Sequence, residues 1–294
     1  MQPETHTLET PDVDLVYEVR RPTVEGQAPA GHPPLLMVGH PMDARGFDTL
    51  ASFFGDRLVV SYDPRGVGRS RRKDGRQERT PEMHSTDLHA LIGALGAGPV
   101  DVFASSGGAV NALALVAQHP GDVRTLVAHE PPLVTLLPDA EHAVAAEAAI
   151  QAAYRDHGFG AGMARFIGLV SWQGELTDAY AAMPAPDPAQ FGLPTEDDGS
   201  RDDPLLSGTG NAITRYRLRA EPIAAAPTRV VVAAGVESRD SLPGRAAAQA
   251  AIALDLPLTE FPSHHGGFQG AESGYGGQPE AFAARLRDVL DGAG

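Results

Sequence analysis

The 294-residue chain carries 23 Lys and Arg against 38 Asp and Glu, a formal charge of −15, with 42% hydrophobic residues and no cysteine. The lack of thiols excludes disulfide scaffolds, thiolate zinc sites, iron–sulfur clusters and a cysteine nucleophile, and the acid excess argues against nonspecific binding to nucleic acid or to an anionic membrane surface. The apolar content suits a globular protein with a large core, either one big α/β domain or two modules.

No apolar run reaches the ~18 residues of a membrane-spanning helix. The opening residues MQPETHTLETPDVD have neither a basic start nor the apolar stretch of a signal peptide. The expectation is a cytoplasmic protein. Residues 12–19 (DVDLVYEV) alternate as a half-buried strand does. After a Pro/Gly-rich loop, Leu35 to Val38 and Leu58 to Tyr62 are short apolar runs ending in Gly/Pro turns, the pattern of buried parallel strands. Residues 80–95 have a helical period, with Thr80 as N-cap and Pro81 at the first helical position.

Val100 to Ala104 is a third buried strand, Gly108 to Gln118 an Ala/Leu-rich helix, and Val123 to Ala128 a fourth strand. This alternation predicts an α/β fold, a mostly parallel doubly wound sheet with functional loops at its C-terminal edge. The alternation breaks at Pro131-Pro132. Residues 133–223 contain helical stretches at 139–155 and 160–172 and an acidic loop at 196–203 (EDDGSRDD), most simply a solvated hinge or tip, but no convincing strand. It resumes with a strand at 229–234, a helix around 244–254, a strand at 257–261 and a terminal helix at 280–291. The expected division is a sheet domain of residues 1–132 and 224–294, interrupted by an inserted helical cap of residues 133–223.

The chemistry-bearing segment is the turn Ala104-Ser105-Ser106-Gly107-Gly108 between a strand and a helix. It matches the strand–G-x-S-x-G–helix elbow with Ala in the first Gly position. A serine in so sharp a turn needs small neighbours two residues away on either side, and Ala104 and Gly108 are small. The turn sets the serine at a helix N-terminus, where free N–H groups favour negative charge.

Two further segments fit the same architecture: Val38-Gly39-His40-Pro41 after a strand, and D-x-R-G-x-G-x-S at Asp63 to Ser70 after the next. With the elbow and a His-Gly near the C-terminus, the chain resembles the α/β-hydrolase family over nearly its whole length, apart from the cap's sequence. The resemblance implies a serine hydrolase with Ser106 as nucleophile and with the N–H groups of His40 and Gly107 as the oxyanion hole. It favours His265 over its neighbour His264 as general base, since His265 directly precedes Gly. The slot where the family usually carries its acid is Ser238, which cannot serve; Glu237 and Asp240 flank it. Glu130, at the end of the preceding strand, occupies a second position some members use, and is preferred over Glu237 and Asp240.

So read, the chain cleaves an ester, lactone or thioester of a small to medium, mainly apolar molecule through an acyl-enzyme. A cofactor-free perhydrolase, a C–C hydrolase, an acyltransferase and a non-catalytic ligand-binding member of the fold are the alternatives. The serine makes aspartate-nucleophile members, the epoxide hydrolases and haloalkane dehalogenases, unlike this chain. No cofactor is called for, and no metal, because the His264-His265 pair lacks H-x-H or H-x-x-x-H spacing. A small-molecule substrate is the expected partner, with homo-oligomerisation left open. The seven basic residues between Arg65 and Arg79 read as a solvated loop, and the cap aromatics Tyr154, Phe159, Phe166, Trp172 and Tyr180 mostly as helix-packing core, with one or two lining an acyl pocket.

Overall fold

The computed structural model describes residues 3–22, 32–274 and 276–292. The Pro/Gly-rich loop expected before Leu35 falls largely within residues 23–31, outside the described residues. The strands are β1 (Glu4–Glu9), β2 (Val13–Arg20), β3 (Leu35–Val38), β4 (Val59–Tyr62), β5 (Arg71–Arg72), β6 (Val100–Ser105), β7 (Val123–His129), β8 (Arg229–Gly235) and β9 (Leu258–Phe261). The helices are α1 (Asp48–Ser52), α2 (Pro81–Leu95), α3 (Gly107–Gln118), α4 (Ala140–Ser171), α5 (Asp178–Ala181), α6 (Asn211–Thr214), α7 (Ala220–Ala225), α8 (Leu242–Ala253) and α9 (Pro279–Leu290).

The sheet order is β1-β2-β4-β3-β6-β7-β8-β9, with β5 pairing to β2. From β4 to β9 every pair is parallel, whereas β1, β2 and β5 join antiparallel at one edge. Strand β1 has no counterpart in the sequence reading. Its residues ETHTLE carry a single large apolar side chain, and its place at the sheet edge rests on backbone pairing to β2 rather than on a buried face.

The sheet is covered on both faces, which is why LLMV of β3 is apolar throughout. Side chains alternate between two cores. Leu36, Val38, Val102, Ala104, Leu126 and Ala128 pack with α2, α3 and α8. Leu35, Met37, Phe103 and Val127 pack with α1 and α9 on the opposite face. Thr80 caps α2 by accepting the Met83 N–H, with Pro81 at its start. Between β7 and β8 the regular elements are helices, joined by long loops. Helix α4 runs through both expected helical stretches and is interrupted only at Gly158 (φ 82°), where a side chain would collide with Asp197. The acidic loop is largely exposed but tied down: Arg201 Nε donates to Arg155 O and its guanidinium pairs with Asp197 at 2.6 Å.

The D-x-R-G-x-G-x-S turn is a fastening. Asp63, 1% exposed, accepts the Ala44 N–H after β3, the Arg69 N–H of its own turn and the Arg69 guanidinium. Gly68 (φ 56°) leaves room for that carboxylate, and Ser70 Oγ donates to Asp63 O at 2.6 Å while accepting the Val16 N–H. Arg65 pairs twice with Asp87 of α2 at 2.6 Å. Arg79 donates to Gly66 O, Thr209 Oγ1 and Pro204 O, fastening residues 204–209 to this turn. The reading of a solvated basic loop is therefore corrected for Arg65 and Arg79, which are 3% and 8% exposed. Polar backbone at the joint of three segments leaves carbonyls and carboxylates that only long donors can reach.

Burial alone would raise the Asp63 carboxyl, but its bonds from Arg69 and Ala44 outweigh this and hold it below its ordinary value. Its stabilisation is thus present above the unfolded value of 3.8 and is lost as the pH falls through the lower folded value. Asp63→Asn should lower the unfolding free energy by about 2 kcal/mol at neutral pH, measured by urea denaturation. The gap between variant and wild type should close in acid.

Candidate active site

The spatial order of the strands reverses between β3 and β6: the chain steps from β3 outward to β4, then returns to the other side of β3. At such a switch point the loops leaving adjacent strands diverge and open a crevice at the C-terminal edge. Val38 is in register with Ala104, so Gly39-His40 and Ser105-Ser106-Gly107 leave the sheet side by side.

Ser106 stands at that point with φ 57° and ψ −133°, a backbone conformation that a side chain rarely adopts. The Ser106 N–H donates to His129 O at 3.0 Å and its carbonyl accepts the Ala109 N–H at 2.9 Å, so the turn is held from both sides. A side chain at Gly108 would put its Cβ 2.4 Å from Val38 O and 2.8 Å from Gly39 Cα. One at Gly107 would put it 2.9 Å from His40 O. The small residues of the elbow thus answer to the neighbouring loop as well as to the serine. Ala104 sits wholly in the core, where a methyl group fits.

Gly107 opens α3, where an N–H has no intrahelical acceptor. The His40 N–H, beside it, meets no backbone carbonyl among the described residues. The His40 ring is buried against His84, at 4.7 Å between centroids. Burial, then the charge of Arg79, pushes its imidazole down to about 3, so the ring is neutral. Ile213 Cγ2 of α6 and His40 Cβ both lie 3.3 Å from where a Gly107 side chain would begin, which brings the segment between β7 and β8 to the edge of the crevice.

Glu130 follows β7 with φ 48° and is fully buried. Its backbone N–H donates to Ala233 O, its Oε1 accepts the Gly235 N–H at 2.8 Å, and its Oε2 lies 2.5 Å from His265 Nδ1. Burial alone would raise this carboxyl; the adjacent His129, the bond to His265 and the Gly235 N–H together bring it down to about 2. The His265 side chain is 41% exposed, so one end of the ring meets a buried charge while the rest is open to solvent.

The other candidates lie elsewhere. Glu237 is exposed and its Oε1 accepts from Gln278 Nε2 at 3.4 Å. Asp240 is exposed, and its carbonyl accepts the Gly174 N–H at 2.7 Å. The Nδ1 of His264 accepts the Gly266 N–H at 3.1 Å, within the turn after β9. Among the described residues one group has metal-ligating atoms within 4.8 Å of one another, His89, His119 and Asp122, and neither His264 nor His265 belongs to it. The two rings of that group are stacked at 3.9 Å and 9°, and His89 Nδ1 lies 2.7 Å from Asp122 Oδ2.

Tyr154, Phe159, Phe166, Trp172 and Tyr180 belong to an apolar cluster that also takes in Leu242 and Ala246 of α8, with Tyr154 buried and the others partly so. Of these, Phe159 also borders a cavity of about 570 Å³ between Val67 and Pro204, a cavity that neither Ser106 nor His265 lines. His129, to which no role attached in the sequence, touches both Glu130 and the elbow. Nothing in a buried-strand pattern distinguishes such a histidine.

Residues 39–170 match the family model described as alpha/beta hydrolase fold. An uncharacterized hydrolase of Bacillus subtilis (strain 168), YraK, is 26% identical over 298 residues, which cover 97% of this chain and 95% of that one. Among solved structures, a thermophilic esterase from Thermogutta terrifontis superposes with TM-score 0.63 at 19% identity, covering 100% of this chain and 99% of its own. The enol-lactonase from Burkholderia xenovorans LB400 does so with TM-score 0.59 at 17% identity, covering 95% and 97%. No helix among the described residues is long and apolar enough to cross a membrane.

The close approach at Gly108 is open to test. Gly108→Ala must push β3's exit from α3, and should cost about 1–3 kcal/mol in chemical denaturation. Gly121→Ala, where a Cβ meets nothing within 4 Å, should not.

Proposed function

We propose that this chain, an α/β-hydrolase-fold protein, is a serine hydrolase acting on ester-type bonds, with Ser106, His265 and Glu130 as its triad. The observation that carries this reading is the 2.5 Å contact of His265 Nδ1 with the buried Glu130, at the sheet edge where Ser106 is held in its strained turn. Glu130 keeps the proton of His265 on Nδ1 and leaves Nε2 as the base. His265 Nε2 takes the Ser106 proton as Oγ bonds to the acyl carbon. The oxyanion accepts from the N–H groups of His40 and Gly107, each worth about 3–4 kcal/mol of barrier. The imidazolium then protonates the departing alcohol or thiol. Water, deprotonated by the same nitrogen, cleaves the acyl-enzyme and regenerates Ser106.

Residues 133–223 act as the cap in this reading, and Ile213 against Gly107 supports an acyl site of modest size and apolar character. The likeness to an esterase and an enol-lactonase supports ester and lactone substrates.

A fluorophosphonate probe should label the wild type and not Ser106→Ala; equal labelling of both, or none of the wild type, overturns the hydrolase reading. On p-nitrophenyl esters of increasing length, short and medium acyl chains should be preferred to charged or very long ones. Glu130→Gln should lower kcat by about 10²–10⁴, while Glu237→Gln should change it less than about threefold. The reverse ranking would move the acid to the loop after β8.

A further inference from the structure

Behind the acid lies a second imidazole. His129, the last residue of β7, has no exposed surface. Phe103, Phe261, Phe268 and Phe282 surround it, with ring centroids 5.2 to 6.3 Å away. An apolar side chain would fill such a cage without the desolvation cost of two ring nitrogens. Yet the ring's polar atoms point at chemistry. Nδ1 lies 3.3 Å from Ser105 Oγ, next to the nucleophile. Nε2 has no hydrogen-bond partner at normal distance and lies 3.8 Å from Glu130 Oε1. The ring of His265 is 6.1 Å away and inclined by only 25°.

We propose that His129 is a positioning residue for the acid: with Ser105 O–H donating to Nδ1, its Nε2–H faces Glu130 Oε1 and holds the carboxylate ionised and aimed at His265. The tautomer follows from the partners. A proton on Nδ1 would turn the Nε2 lone pair on a carboxylate, whereas a proton on Nε2 presents a donor to it. Burial, opposed by Glu130 and aided by His265, brings this imidazole down to about 4, so it acts as a neutral dipole through the working range. Glu130 and His265 are the titratable groups acting on it among the described residues. The carboxylate thus meets three donors: Gly235 N–H, His265 Nδ1–H and, at longer range, His129 Nε2–H. Removing one makes the Glu130–His265 pair more basic.

The inference rests on the triad reading, and the test separates the two. His129→Leu, His129→Asn and His129→Gln are compared for kcat/KM against pH on a p-nitrophenyl ester, with thermal unfolding alongside. A glutamine amide reaches the Nε2 position; an asparagine amide reaches only Nδ1. In Leu and Asn variants, kcat/KM at neutral pH should fall about 3- to 30-fold and the acid limb should move up by about half a pH unit or more. Gln should restore most of both. If Leu fails to fold, the Asn and Gln pair decides. Acid limbs that overlay the wild type in every variant, or equal losses in Gln and Asn, make His129 a packing residue and overturn the proposal. An inactive Glu130→Gln beside unchanged His129 variants overturns it alone; a fully active Glu130→Gln overturns the triad and this inference with it.

Discussion

A carboxylate with no exposed surface is expensive unless donors replace its lost water. Glu130 is such a group, and the ends of three strands meet on it. Its own backbone continues β7, its N–H and Oε1 are tied to Ala233 and Gly235 at the end of β8, and Oε2 meets His265 from the loop after β9. The requirement that this charge be satisfied therefore fixes the relative placement of those loops. It also explains the left-handed backbone at Glu130, which turns the side chain back under the sheet edge instead of out to solvent.

A second constraint acts on the other side of the crevice. Because β3 and β6 are neighbours in register, α3 must begin almost against the exit of β3, and Gly108 has room for no side chain there. That closeness sets the His40 backbone beside Gly107, whose side chain, if it had one, would meet His40 O at 2.9 Å. The strain stored at Ser106 is held by the His129 carbonyl and by the first turn of α3. Among the described residues, three of the four non-glycine residues with positive φ, Ser106, Glu130 and Ser263, lie where β6, β7 and β9 end. Strain concentrated along one sheet edge is the mark of a built site rather than of loops that merely connect.

Much of this was legible before the fold was known. Strands buried on both faces announce themselves as apolar runs, and β3, β6 and β8 begin and end within a residue of their expected limits. The helical period of residues 80–95, with Thr80 as its cap and Pro81 at its first position, marked α2. What escaped has physical causes. Strand β1 has little apolar pattern because its stability comes from backbone pairing. The bond between α4's two stretches escaped because Gly158 punctuates the sequence without ending the helix. Arg65 and Arg79 looked like surface charges because sequence shows the charge and not the carbonyls and carboxylates that surround it.

The sequence by itself determined the alternation of strands and helices, the elbow around Ser106, and a short list of acids and bases, since these depend on local pattern and on residue size within a few positions. Only the tertiary structure brought one acid and one base of that list into contact. Glu130 and His265 are 135 residues apart, and Glu130, Glu237 and Asp240 are alike as carboxylates. What separates them is which one is buried within reach of an imidazole, and that follows from strand order and register, quantities set by the packing of the whole sheet.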